Sequence, residues 1–133
     1  MDFVFKNKRI SGILTVLPKK VVTFEEEIEN YNFSPAKSMK LKLAMGYKEH
    51  RLAEPNQTSA DFCIHGLKYL FDNGMLNKEE IDALLFISQS PDYYMPPTSN
   101  LIQGHFGLKN DVLCMDINQG CAGRELGLIQ AFM

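Results

Sequence analysis

The sequence predicts an α/β fold, a layered β-sheet with helices packed on it. Three observations lead there. Short apolar runs rich in β-branched residues alternate with stretches whose apolar residues recur at helical spacing. Helix start and stop signals bracket those stretches. No internal repeat, low-complexity tract or linker interrupts them. With 133 residues the chain is long enough for one domain with a core.

The elements follow in order. Residues 9–17 (RISGILTVL) read as a buried first strand that stops at Pro18. Thr23 with Glu26 three residues on makes a capping box, and Glu25 to Glu27 suit the positive end of a helix running to about Asn30. Ser34-Pro35 starts a second helix that Gly46 ends. Residues 47–53 are polar and short, at best an edge strand. Thr58 or Ser59 caps a third helix over 59–73, where Phe62, Cys63, Leu67, Leu70 and Phe71 form a stripe. Residues 81–88 (IDALLFIS) form a continuous apolar run after a helix, the pattern of a buried parallel strand. A loop with three prolines leads to a short helix over 99–106, ended by Gly107. Residues 111–117 read as the next buried strand, and Cys121 opens the last helix.

Composition narrows the function classes. Apolar residues make 45% of the chain and charged residues 23%, which excludes a disordered polar segment. A net charge of −2 advertises neither a nucleic-acid nor a membrane surface. No apolar run is long enough to span a bilayer, and residues 1–9 lack the apolar core of a signal peptide. Three cysteines without a CxxC spacing fit reduced thiols and a cytoplasmic setting, and no metal site is expected. The chain ends at Met133 inside an apolar segment with no cap, so it reads as the N-terminal piece of a longer protein, truncated within its last helix.

The stretch 116–126 (DINQGCAGREL) holds the chemistry. A thiol near a helix N-terminus meets the positive end of the macrodipole and free backbone N–H groups, and both favour the thiolate. Gly120, Ala122 and Gly123 let the backbone turn sharply and let an acyl group approach sulfur. The same amides could hold the oxyanion of a tetrahedral thioester intermediate. Taken alone, a cysteine at a strand–helix turn is more often structural. Cys63 on its helix stripe and Cys114 inside a strand read as inert core thiols. His65 reads as a partly exposed helix residue and His105 as a capping or packing residue. Asp116 closes its strand and is expected to hydrogen-bond the turn backbone.

The surrounding residues resemble the β-ketoacyl-acyl-carrier-protein synthase III family, the initiating condensing enzymes of the thiolase fold. The resemblance covers nearly the whole chain. It runs through residues 10–23 (ISGILTVLPKKVVT), Met45-Gly46-Tyr47, His50-Arg51, Thr58-Ser59-Ala60, Ile81-Asp82, Pro91-Asp92 with Pro96, and Phe106-Gly107-Leu108. Its most specific part is the Cys-Ala-Gly of residues 121–123 after Asp116.

The resemblance implies a thiolase-like N-terminal half with a mixed sheet. It implies that Cys121 accepts the acyl group from a thioester of coenzyme A or acyl carrier protein. A malonyl-carrier thioester then decarboxylates and attacks the acyl-cysteine, in fatty acid or related acyl-chain synthesis. Arg51, Met95 and Gly123 are the implied substrate contacts, and a homodimer is implied. No cofactor beyond the thioester substrates is expected. The family's histidine and asparagine come from its second half, and His50, His65 and His105 match neither. Lys40 and Ala44 stand where the family often carries the tryptophan and arginine that contact coenzyme A. Arg124 and Glu125 replace the usual aromatic residue after the motif; they could pair locally. These departures leave room for a non-catalytic acyl-binding or dimerising module, and a redox-regulated thiol protein is a third reading. The piece alone is expected not to condense.

Overall fold

The computed structural model describes residues 2–133. It divides into two compact units, residues 17–57 and the remainder of the chain.

In the smaller unit, β1 (Lys20–Thr23) pairs antiparallel with β2 (Glu49–Leu52), with Val21 opposite Arg51. Between them lie α1 (Phe24–Glu27), a 3-10 turn (Ile28–Asn30) and α2 (Pro35–Met45). The capping box forms as the sequence predicts. Thr23 Oγ1 accepts the Glu26 N–H at 3.4 Å, and the Glu26 carboxylate accepts the Thr23 N–H at 2.7 Å. That second bond and the Thr23 hydroxyl hold the Glu26 carboxyl below its ordinary range. Ser34 caps α2, and Gly46 ends it at φ +65°, a conformation that glycine adopts without a Cβ clash. Val22 and Phe24 form the small core, where the Phe24 ring stacks on Tyr31 and meets the edge of Tyr47.

The larger unit holds α3 (Ser59–Asp72), a 3-10 turn (Lys78–Glu80), β3 (Ala83–Ile87), α4 (Thr98–Phe106), β4 (Leu113–Ile117) and α5 (Gly123–Phe132). β3 and β4 pair in parallel from Ala83–Leu113 to Ile87–Ile117, and α4 is the helix that crosses between them. Thr58 caps α3 in a second capping box with Asp61, and Gly107 ends α4 at φ +60°. Ile81, Leu108 and Val112 form a buried cluster with Phe71, Leu84, Phe106 and Cys114 around it. Ile102 of α4 is 1% exposed.

The chain is therefore α/β, with both parallel and antiparallel pairing, in two separate two-stranded sheets. Two expectations are corrected. Residues 9–17 form no strand, and Ile10, Ile13 and Leu17 are exposed. Their β-branched composition favours extended backbone, but a strand requires a ladder partner. The segment instead sets Leu14 and Val16 against α3, where Val16 Cγ2 would lie 3.0 Å from a Cβ on Gly66. Residues 20–23 (KVVT), unassigned from the sequence, are the true first strand, because residues 49–52 supply their partner. β3 and β4 are only half-buried, with Ile87 and Leu113 exposed; two paired strands leave an outer edge on each that a wider sheet would cover.

Candidate active site

The site grows from the end of β4. After Ile117 the backbone tightens, and the Gln119 N–H bonds the Ile117 carbonyl at 3.1 Å. The Gly123 N–H then closes a turn onto the Gly120 carbonyl at 2.7 Å. Cys121 sits inside this turn and is exposed. Helix α5 begins two residues later than the sequence suggests, with Ala122 as its N-cap in a helical conformation (φ −80°, ψ −2°). The first α-helical bond into the turn runs from the Leu126 N–H to the Ala122 carbonyl at 3.0 Å. Among the described residues, the amides of Cys121, Ala122, Arg124 and Glu125 donate to no backbone carbonyl. These are the orphan donors that any helix start carries, here on Cys121 and the residues that follow it.

Packing explains the glycines of the motif. Gly123 is buried against β3, and a Cβ there would lie 2.7 Å from Ile87 Cγ2. Gly127, one turn on, faces the same side chain and is also buried. A Cβ on Gly120 would lie 3.0 Å from Gln89 Nε2, so the Gln89 carboxamide lies across Gly120. Gly123 thus holds α5 close to β3, beside the cysteine turn.

Asp116 binds elsewhere than expected. Its carboxylate accepts the N–H groups of Thr98 at 2.7 Å and Ser99 at 2.9 Å, the first residues of α4, rather than those of its own turn. Helix α4 begins behind Pro97, which offers no side-chain cap, so Asp116 serves instead.

The three thiols differ. Burial, and secondarily Asp92, push the Cys63 thiol up; burial and then Asp116 push Cys114 up. Cys114 is half-buried; Cys63, expected in the core, instead keeps an exposed outer face on its helix while part of it packs inward. Cys63 also lines an apolar cavity of about 440 Å³ between α3 and β3, together with Phe62, Leu67, Leu84, Phe86 and Ile102. Cys121 does not line that cavity.

The other expected contacts are placed as follows. Met95 is 82% exposed in the loop between β3 and α4, beside the exposed Tyr93 and Tyr94. Arg51 lies on β2 in the smaller unit, where its Nη1 donates to the Lys19 carbonyl at 3.1 Å. Arg124 turns to solvent and pairs with Glu125 at 2.7 Å, which holds the Glu125 carboxyl low. That is the local pair the sequence suggested. Sequence reasoning missed Gln89, Ile87, Thr98 and Ser99. A helix beginning at Ser99 was legible, but no local pattern pairs its start with Asp116. Among the described residues no cluster of three His, Cys, Asp or Glu could hold a metal ion, and no helix is long and apolar enough to cross a membrane.

No family model matches the chain. It is 32% identical over 118 residues to the β-ketoacyl-acyl-carrier-protein synthase III of Ehrlichia canis, covering 89% of this chain and 36% of that one. It is 28% identical over 124 residues to the enzyme of the same name from Caldanaerobacter subterraneus, covering 90% and 35%. Its fold superposes on the crystal structure of a 3-oxoacyl-acyl-carrier-protein synthase from Burkholderia xenovorans with a TM-score of 0.77 and 27% identity, covering 87% of this chain and 33% of that one. The chain is homologous to the β-ketoacyl-acyl-carrier-protein synthase III family. Sequence and fold agree on this, and the fold is thiolase-like. The chain spans about a third of the length of the curated relatives it matches.

Proposed function

We propose that the chain carries the acyl-accepting part of a condensing acyltransferase, with Cys121 as nucleophile. One observation carries the reading: an exposed cysteine sits in the turn between β4 and α5, where its own amide and those of Ala122, Arg124 and Glu125 donate to no backbone carbonyl. The thiolate attacks the carbonyl of an acyl thioester. The carbonyl oxygen gains the negative charge, which the turn amides are suited to accept. The tetrahedral intermediate then expels the donor thiolate, and the acyl group remains on Cys121. Attack by the carbanion from a decarboxylating malonyl-carrier thioester forms the new carbon–carbon bond and releases the cysteine thiolate. The acyl donor is a thioester of coenzyme A or acyl carrier protein, and the reaction serves fatty acid or related acyl-chain synthesis.

Relatives named for synthesis on acyl carrier protein support that partner class. The local Arg124–Glu125 pair supports an open approach to sulfur, since it keeps the guanidinium out in solvent. The proposal includes Met95, Arg51 and Gly123 as substrate contacts, a homodimer and a cytoplasmic setting. Incubation with a labelled short acyl thioester, then mass spectrometry of the Cys121 peptide, tests the reading. An acyl mass on Cys121 is expected. A thiol that takes none points to a non-catalytic module, and one that only oxidises points to a redox protein.

A further inference from the structure

Asp116 joins two segments that the sequence keeps apart. Its carboxylate spans the Thr98 and Ser99 amides at 2.7 and 2.9 Å. Both residues are 0% exposed, so water cannot replace that acceptor. A carboxylate at a helix N-terminus gains from charge-assisted hydrogen bonds and from the helix dipole together. One residue further on, the Ile117 carbonyl accepts the Ser88 N–H at 3.2 Å. The Gln89 carboxamide then lies across Gly120. The loop 88–97 is thus held at both ends, and at Gln89, by residues 116–120, which lead directly into Cys121.

We infer that Asp116 is a positioning residue for the nucleophile: by holding the start of α4 it fixes the end of β4, and with it the placement of the amides around Cys121. This inference rests on the acyl-transfer reading for its consequence but not for its geometry. Asp116 touches no reacting atom. Its effect passes through Ile117 to Gly120 and appears where amide placement matters.

The test compares Asp116→Asn and Asp116→Ala with the unaltered chain in three measurements. Hydrogen exchange of the 118–124 amides is expected to accelerate about tenfold or more in both variants, with α3 unchanged. Acylation of Cys121 by butyryl-N-acetylcysteamine is expected to fall about tenfold or more. Alkylation of Cys121 by iodoacetamide, which develops no oxyanion, should stay within about threefold. Asp116→Asn, which keeps one acceptor oxygen, should recover part of the acylation rate lost in Asp116→Ala. Equal losses in acylation and alkylation would mean general loosening and overturn the inference. So would unchanged exchange at 118–124, or failure of both variants to fold. An unaltered chain that takes no acyl group overturns the thioester reading alone, and the exchange arm still decides the role of Asp116.

Discussion

Gly123→Ala probes how the helix behind Cys121 is seated. The new methyl carbon would lie 2.7 Å from Ile87 Cγ2, closer than carbon atoms pack. Cγ2 branches directly from Cβ, so it cannot swing away unless χ1 leaves its well. Overpacking of this kind costs about 1–3 kcal/mol. Alanine recovers less than the ~1 kcal/mol it gains over glycine in a helix interior, because Gly123 is the first residue of α5. The net expectation is destabilisation of about 1–2 kcal/mol. Urea unfolding followed by circular dichroism measures it. Ile87→Leu moves the branch out to Cγ, so Gly123→Ala should lose most of its cost in that background. A Gly123→Ala chain within about 0.5 kcal/mol of the unaltered one, or an equal penalty in both backgrounds, would refute the packing argument.

Four further outcomes follow from the same structure. Ile102→Ala, at a side chain 1% exposed, should cost about 2–5 kcal/mol by urea unfolding. Thr58→Ala removes the acceptor for the Asp61 amide and should cost about 1 kcal/mol, with faster hydrogen exchange at the first turn of α3. The Glu26 carboxyl is held low by its bonds to Thr23, so its contribution to α1 is present above the ordinary carboxylate pKa. It should disappear as pH falls through the lowered value in the folded chain, read as loss of amide protection at Thr23 and Glu26. At neutral pH iodoacetamide should modify Cys121 before Cys63 and Cys114, whose thiols burial pushes up; earlier modification of either would contradict the ordering.

The helices were legible because their signals are local. Thr23, Ser34 and Thr58 each accept an amide three residues on, and Gly46 and Gly107 each end a helix where the sequence places a stop. β3 and β4 were legible as apolar runs, and an intervening helix implied parallel pairing. The segment 9–17 was misread because composition reports a tendency to extend, whereas a strand exists only with a partner. The lysine-bearing run 20–23 was overlooked for the converse reason, since its partner lies at 49–52. At the site, the cysteine and its flanking glycines stood out as a pattern. The reasons, Gln89 beside Gly120 and the Ile87 side chain beside Gly123, lie about thirty residues upstream or more and leave no mark on the motif. The bond from Asp116 to Thr98 and Ser99 is hidden in the same way: each residue suits its local role, and only the packing of α4 on β4 brings them together.

The most direct measurement is the mass of the Cys121 peptide after the chain meets a labelled short acyl thioester. One acyl group is expected on Cys121, none on Cys63 or Cys114, and none after Cys121→Ser. Acyl label on another residue, or no label on a folded chain, would contradict that expectation.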